Sequence, residues 1–138
     1  ASLAKAMLSI GAVKAFEMGD GTLAAKSRGS ENNDAFFMEN GAVHKKTNHS
    51  GGTLGGMSDG SDLFFKVHVK PTPSIFQPQD TVNRDGENVT IEIKGRHDPV
   101  IVPRAVVVVQ AMAALTILDL MMLNMNARME YLERFYRR

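Results

Sequence analysis

A long apolar run near the C-terminus limits the folds open to this chain. Within residues 105–125, only Gln110, Thr116, Asp119 and Asn124 interrupt the hydrophobic side chains. A helix of this composition is apolar around its whole circumference, which is typical of a membrane span or of a helix inside a protein core. Because Asp119 and Asn124 would be costly in hydrocarbon, the composition favours a core helix.

The predicted helix is long for a domain of this size. Pro103 lies where a first helical residue tolerates a missing N–H group, and a continuous helix over 103–138 would measure roughly 50 Å, against about 35 to 40 Å for the compact domain. We therefore expect the helix to break near 124–126, or to pack against chain or subunit outside this sequence. Four apolar residues of the tail share one face: Met129, Leu132, Phe135 and Tyr136.

Size, charge and cysteine content narrow the class of protein. The 138 residues are 43% hydrophobic, enough for one core, so residues 1–138 are treated as a single domain. The formal charge of +1 gives no general attraction for nucleic acid or an anionic membrane. The absence of cysteine excludes disulfides and thiolate metal sites and fits a cytoplasmic protein. The sequence opens in a helical pattern, without methionine or a secretory signal, so we expect a piece of a longer chain.

Short β-rich runs separated by turn residues predict an antiparallel sheet. Residues 13–18 and 63–69 are expected to form strands. Asn40-Gly41 and Asp85-Gly86 predict hairpin turns, because asparagine and glycine tolerate positive φ. The pattern predicts an α+β fold in which an antiparallel sheet packs on the N-terminal helix and the long apolar helix.

Three polar clusters at element boundaries could bind an anionic ligand. Glycines let backbone amides approach a phosphate, hydroxyl groups can hydrogen-bond to it, and lysine or arginine can neutralise it. The clusters are the glycine-rich segment 47–56, the run Lys70-Pro71-Thr72-Pro73-Ser74, and Gly95-Arg96-His97-Asp98-Pro99. The glycine density of the first predicts a loop that is mobile or that approaches a ligand.

Each cluster also has an ordinary structural interpretation. A glycine-rich segment is most often only a loop, and this one matches neither a Walker loop nor the GxGxxG fingerprint. A lysine-proline run often just ends a strand, and the Arg-His-Asp segment could form a surface ion pair of little energetic value. A zinc site is not predicted, because no two of the histidines have the close helical spacing that presents both on one face. Those histidines are His44, His49, His68 and His97.

The order of the motifs, rather than any single motif, carries a resemblance to a known family. They occur as Ser9-Ile10-Gly11-Ala12-Val13-Lys14, Gly19-Asp20-Gly21, Arg28-Gly29-Ser30, Asn48-His49-Ser50-Gly51-Gly52, Leu54-Gly55-Gly56, Lys70-Pro71-Thr72-Pro73-Ser74-Ile75, Gly95-Arg96-His97-Asp98-Pro99, Pro103-Arg104-Ala105 and Ala111-Met112-Ala113. From residue 1 to about residue 123, this string resembles the C-terminal portion of chorismate synthases. Arg-His-Asp-Pro followed by Pro-Arg-Ala is highly specific in company with Lys-Pro-Thr-Pro-Ser.

The resemblance implies both a fold and a reaction. The fold is a layered β-α-β sandwich, usually in a homotetramer, of which this chain would hold about one sheet and its helices. The reaction is a 1,4-anti-elimination that converts 5-enolpyruvylshikimate 3-phosphate into chorismate and phosphate, with reduced FMN and no net redox change. The family's substrate-clamping arginines and an essential histidine precede this region, so the chain alone is expected to have no lyase activity.

The same resemblance assigns site residues motif by motif. Asp98 is implied as the catalytic carboxylate near flavin N5, tuned by Arg96, with His97 as an orienting neighbour. The implied FMN contacts are Gly11, Ala12, Gly55, Lys70, Pro71, Thr72, Pro73, Ser74 and Arg96. No metal ligand is implied. Two other hypotheses stay open, a non-catalytic oligomerisation module that docks through the long helix and a free-standing anion-binding domain; neither gives Asp98 a role.

Overall fold

Helices and short antiparallel strands alternate along the chain, whose residues 1–137 are described by a computed structural model. The helices are α1 (Ser2–Leu8), a 3₁₀ helix (Gly21–Lys26), α2 (Gly29–Asn32), α3 (Val102–Met125) and α4 (Met129–Tyr136). The strands are β1 (Val13–Met18), β2 (Phe36–Glu39), β3 (Ala42–Lys45), β4 (Thr53–Leu54), β5 (Met57–Ser58), β6 (Phe65–Val69), β7 (Gln79–Val82) and β8 (Asn88–Ile91). The predicted α+β class is confirmed.

All strand pairs are antiparallel, as predicted, but they form four two-stranded ladders rather than one sheet. The ladder β1–β6 joins distant parts of the chain, with Ala15 opposite His68 and Met18 opposite Phe65. The register shifts by one residue between Ala15 and Val13, so that Val13 lies opposite Val69. The other three ladders are the hairpins β2–β3, β4–β5 and β7–β8. Proline lacks the N–H group that a ladder requires, so the run that begins at Lys70 ends β6.

Both predicted hairpin turns are confirmed. Asn40 and Gly41 have φ angles of 50° and 78°, and they connect Glu39 directly to its cross-strand partner Ala42. This positive pair is typical of the type I′ turn that two-residue hairpins favour. In the second hairpin Gly86 has a φ of 81°, within the turn between β7 and β8.

The buried core of the described residues is small and lies around α1. Met7 is fully buried and Val13 is 7% exposed, and these are the buried apolar side chains of residues 1–137. Helix α1 forms because its sequence consists almost entirely of strong helix formers. It contacts both β1 and α3, so it connects the strands to the long helix.

The expectation that the long apolar helix is buried is wrong for this chain. No residue of α3 is buried, and Leu115, Met121 and Leu123 are each more than 60% exposed. The physical reason is that α1 is short and covers only one strip of a helix that is apolar all round. By length and composition α3 could cross a membrane, a property that it shares with the core helices of soluble proteins.

The predicted break of the long helix is confirmed. Helix α3 ends at Met125, Asn126 leaves the helical conformation, and Arg128 is extended with φ −138° and ψ 139°. The 24 residues of α3 span about 36 Å, which matches the expected width of the domain. Helix α4 then presents an exposed apolar face, with Phe135 and Tyr136 in edge-to-face contact.

Candidate functional site

The ladder β1–β6 brings the first predicted site residues together. The backbone N–H of Lys70 donates to the carbonyl oxygen of Ala12 at 2.8 Å, just beyond the last paired residues of the ladder. Ala12 has a φ of 69°, a left-handed conformation that is uncommon for a residue with a Cβ and that is often found at functional sites. The structure therefore places Gly11 and Ala12 beside the start of the lysine-proline run.

The lysine-proline run, residues 70–74, leaves the ladder as irregular chain with a bend at Pro73. Lys70 is exposed, whereas Thr72 and Ser74 are half-buried. The Thr72 Oγ1 atom is inaccessible to water and has no hydrogen-bond partner among residues 1–137. A buried hydroxyl without a partner costs about 1–3 kcal/mol, so an orphan of this kind indicates strain or a missing ligand.

The Arg-His-Asp corner, residues 96–98, lies against the chain that follows this run. The ring of His97 lies 6.0 Å from the ring of Phe76, measured between centroids. His97 Nε2 is a second buried polar atom without a partner in the described part of the chain. Phe76 and His97 are thus neighbours although they are more than twenty residues apart, and Phe76 lies two residues beyond the lysine-proline run.

Asp98 lies at the rim of this corner, with its side chain 46% exposed. Its Oδ2 atom is 2.8 Å from Nη1 of Arg104, a residue in the first turn of α3. The charged partner of Asp98 is therefore Arg104, whereas the sequence suggested Arg96. Arg96 itself is exposed and makes no ion pair within residues 1–137.

Gly55 belongs to a different part of the molecule. It forms the tip of the hairpin β4–β5 with Gly56, with φ angles of 57° and 82°. The base of this hairpin meets the Gly19 end of ladder β1–β6, and Lys70 leaves the opposite end, about 15 Å away along the strands. No hydrogen bond among residues 1–137 joins the Gly55 tip to the lysine-proline run.

The first half of the glycine-rich segment is packed rather than loose. Gly51 and Gly52 are buried, and a Cβ on Gly51 would overlap backbone atoms of Gly19 and Phe64. The N–H of Phe64 donates to Gly51 O at 3.2 Å, and the N–H of Asp20 donates to His49 O at 2.9 Å. The side chains of Asp20 and His49 also meet, with His49 Nδ1 2.7 Å from Asp20 Oδ2. The glycines allow two stretches of backbone to pack directly together.

Sequence reasoning missed the most buried polar cluster, the triad of Asp34, Lys45 and Asp59. Lys45 Nζ lies 3.1 Å from Asp34 Oδ2 and 2.8 Å from Asp59 Oδ2, and the three side chains are between 4% and 9% exposed. Lys45 Nζ also donates to Asn48 Oδ1 at 3.2 Å and to Ser50 Oγ at 2.9 Å. No local pattern could have revealed the triad, because its members are eleven and fourteen residues apart.

Hydrogen bonding keeps all three groups of the triad charged. Burial alone would raise the pKa of Asp34, but donors from Thr47, Ser50 and His49 outweigh it and hold that pKa well below its usual range. The hydrogen bond from Lys45 lowers the pKa of Asp59, and the hydrogen bond to Asp59 raises the pKa of Lys45. The triad is therefore a permanent ionic element of the fold near neutral pH.

A groove elsewhere in the chain has no connection with these clusters. It lies between the end of α3 and α4, where Leu123, Met125, Tyr131 and Phe135 are among its lining residues. None of the predicted site residues lines it. Within residues 1–137, no three histidine or acidic side chains are grouped so that they could hold a metal ion.

Comparison with known proteins adds an independent observation. The sequence profile of the family described as chorismate synthase matches residues 1–122 of the 138. The chain belongs to the chorismate synthase family. Chorismate synthases of Agathobacter rectalis and Lachnospira eligens are 64% and 62% identical to it over 138 residues. The matched region is the whole of this chain but 38% of each relative, so the chain spans well under half the length of these chorismate synthases.

A solved structure of the family supports the fold as well. A crystal structure of a chorismate synthase superimposes with a TM-score of 0.70 and 29% identity, covering 96% of this chain and 33% of the other. The resemblance found from the motifs is thus confirmed at the level of family and fold. The roles assigned to Asp98 and to the FMN-contact residues stay predictions.

Proposed function

We propose that this chain forms one wall of the cofactor and substrate cleft of a chorismate synthase. In the complete enzyme it would take part in converting 5-enolpyruvylshikimate 3-phosphate into chorismate and phosphate with reduced FMN. The observation that carries the proposal is the approach of Phe76 to His97, because it sets the chain just after the lysine-proline run beside the Arg-His-Asp corner. Membership of the family supports the reaction class.

The residues present fit an anionic flavin cofactor. Lys70 and Arg96 are exposed cations, one in the lysine-proline run and one in the Arg-His-Asp corner, and a phosphate or an electron-rich ring needs such neighbours. Thr72 Oγ1 and His97 Nε2 are buried polar atoms that a bound group could satisfy after a small local adjustment. Gly11, Ala12, Pro71, Pro73 and Ser74 complete this wall, and Gly55 would contact the cofactor from the other side.

The reaction depends mainly on correct placement of the substrate and on stabilisation of the negative charge on the leaving phosphate, and less on a strong acid. The electron pair of the breaking C–O bond leaves with the phosphate, and the electrons of the C6–H bond remain in the new ring diene. Reduced FMN, when bound, supplies transient electron density and recovers it. Lys70 and Arg96 would stabilise negative charge, and Asp98 would hold the proton that leaves C6. Arg104 keeps the Asp98 carboxylate in place at 2.8 Å.

The complete enzyme is the proper test of this proposal. We would replace the matching 138 residues of the Agathobacter rectalis enzyme by this chain and measure phosphate release with reduced FMN under anaerobic conditions. We expect the chimera to turn over and the 138-residue chain alone to show no release above a control without protein. A chimera that folds and binds reduced FMN but releases no phosphate would contradict the proposal.

Asp98→Asn in the chimera tests the catalytic role directly. General acid–base groups contribute roughly 10²- to 10⁴-fold, so we expect kcat to fall about 100-fold or more. Asp85→Asn is the matched control, since Asp85 is an exposed carboxylate in the turn between β7 and β8. Undiminished turnover by Asp98→Asn would remove Asp98 from the mechanism.

A non-catalytic oligomerisation module is the second candidate, and the exposed apolar surface of α3 favours it. The two candidates are compatible in a multi-subunit enzyme, because the uncovered faces could be buried by other parts of the complete chain or by other subunits. We therefore include a cytoplasmic homo-oligomer, a tetramer in the complete enzyme, in the proposed function, and we assign it no nucleic-acid or membrane partner.

A further inference from the structure

We propose that Lys45 is a positioning residue for ligand binding: it fixes the base of the hairpin β4–β5, so that the backbone amides at the tip are presented to the cofactor. This inference rests on the proposed function. It concerns a residue that the sequence motifs do not include and that lies outside the wall formed by the lysine-proline run and the Arg-His-Asp corner.

The Lys45 ammonium joins the chain on the two sides of hairpin β4–β5. Asn48 and Ser50 lie at the start of the glycine-rich segment, before β4, and Asp59 lies just after β5. Lys45 Nζ contacts all three, at 3.2, 2.9 and 2.8 Å. Asp34, from the chain before β2, holds the same ammonium at 3.1 Å. One buried cation therefore closes the intervening loop.

Further hydrogen bonds extend this closure into the base of the hairpin. The Gly52 N–H donates to Asn48 Oδ1 at 2.7 Å, and the Asp59 N–H donates to Gly52 O at 3.1 Å. The Asn48 side chain also donates to Asp62 O at 2.9 Å. Two of these three bonds depend on the Asn48 side chain, which is itself bonded to Lys45.

The triad is saturated and so is not itself a ligand site. Asp34 accepts from Thr47 Oγ1 and the His49 N–H through one oxygen, and from Ser50 through the other. Asp59 Oδ1 accepts from the Ser61 N–H at 2.9 Å. The acceptors are used internally and the side chains are almost inaccessible. The triad therefore acts by holding the base of hairpin β4–β5 in place, and not by binding a ligand itself.

The hairpin that the triad holds has a solvent-facing tip formed by Gly55 and Gly56. A Cβ placed on Gly55 or Gly56 would meet no atom within 4 Å, so the tip projects away from the rest of the described chain. Amides that are held in place before binding cost less conformational entropy when a ligand arrives. Releasing the base should therefore weaken binding more than it slows chemistry.

The chimera described above, carrying these 138 residues, allows a test. Lys45→Met removes the ammonium but keeps a long side chain, and Lys46→Met is the matched control because Lys46 is exposed. We expect Lys45→Met to raise the Kd for reduced FMN about 10-fold or more, as for a lost charged hydrogen-bond network. At saturating FMN, kcat should stay within about threefold, and Lys46→Met should match the parent.

Asp59→Asn covers the case in which Lys45→Met does not fold, since it keeps the shape and one acceptor for Lys45. We expect an intermediate increase in Kd. Amide hydrogen exchange on the same proteins separates local from global effects: the Gly52 and Asp59 amides should exchange faster, while those of ladder β1–β6 stay protected.

Parent-like FMN affinity in folded Lys45→Met and Asp59→Asn chimeras would overturn the inference. Equal loss of protection in the ladder and the hairpin would also overturn it, because Lys45 would then act on global stability. A parent chimera that does not bind reduced FMN at all would instead refute the proposed function, so the two failures are distinguishable.

Discussion

Asp34, Lys45 and Asp59 belong to no motif in the sequence, but their burial in the structure makes them important for stability. Each side chain is less than 10% exposed, so each must be paired to remain charged. Two carboxylates share one ammonium, and the excess negative charge is met by hydroxyl and amide donors on Asp34. Removing Lys45 would leave both carboxylates buried without their cation, which is more costly than losing a surface ion pair, whereas removing either carboxylate leaves Lys45 paired with the other.

The triad predicts that the free energy of unfolding is constant near neutral pH and falls at both acid and alkaline pH; these two falling parts of the profile are called its acid limb and its alkaline limb. Asp34 and Asp59 have a pKa lowered from the ordinary value of 3.8, so their contribution is complete above that value and is lost as the pH falls through their folded pKa. Lys45 has a pKa raised from 10.5, so its contribution is complete below pH 10.5 and is lost as the pH rises further. Urea unfolding as a function of pH measures both limbs.

Variants of the triad should change this pH dependence in different ways. Asp34→Asn is expected to weaken the acid dependence, whereas Lys45→Met should remove the alkaline dependence and also part of the acid dependence, because the hydrogen bond from Lys45 lowers the pKa of Asp59. Both variants should lower the stability near neutral pH. Asp85→Asn, in an exposed turn, should leave the profile unchanged. A parent profile that is flat below pH 4 and above pH 10.5 would show that the triad does not contribute to stability.

At the scale of elements, the contact between the turn at Gly19 and the turn at Gly51 joins two parts of the chain. The Gly19 N–H donates to Phe64 O at 2.8 Å, and Gly51 packs against the backbone of both Gly19 and Phe64. The ladder β1–β6 and the glycine-rich segment are thereby joined backbone to backbone. A side chain on either glycine would separate them, which explains why glycine occupies these positions.

Gly19→Ala and Gly41→Ala make a matched pair for this junction. Both glycines have positive φ, 56° and 78°, so alanine strains the backbone by roughly 1–2 kcal/mol at each. At Gly41 the new methyl group meets no atom within 4 Å, whereas at Gly19 it overlaps backbone of His49, Ser50 and Gly51. We expect a loss of about 1–2 kcal/mol for Gly41→Ala and more than about 3 for Gly19→Ala, from urea unfolding. Equal losses would contradict the close packing.

At the scale of the whole molecule, the apolar surface exceeds what these 138 residues can cover. The buried core contains Met7 and Val13, while the side chains of α3 are largely exposed along its length. An apolar patch of this extent is typical of an interaction surface. The relatives are more than twice as long as this chain, and we expect the remainder of such a chain to cover part of it.

The isolated chain is therefore expected to self-associate through α3. Sedimentation velocity over a concentration series should show a rising average mass, and Leu115→Glu with Met121→Glu should reduce it, because a buried unpaired charge is costly. Leu23→Glu is the control, since Leu23 is comparably exposed but lies on the 3₁₀ helix. A parent chain that is monomeric throughout would contradict this expectation.

The sequence alone was sufficient for features that depend on neighbouring residues. The turn at Asn40-Gly41, strand Val13–Met18 and the break after Met125 follow from local φ preferences and side-chain patterns, and the order of the motifs was enough to recognise the family. Only the tertiary structure showed that Asp98 pairs with Arg104, that the strands form separate ladders, and that Asp34, Lys45 and Asp59 meet. These contacts form only after segments that are distant in the sequence have come together in the fold, so no local sequence pattern predicts them. The extent to which α3 is exposed likewise needed the structure, because burial depends on what surrounds a helix and not on its own composition.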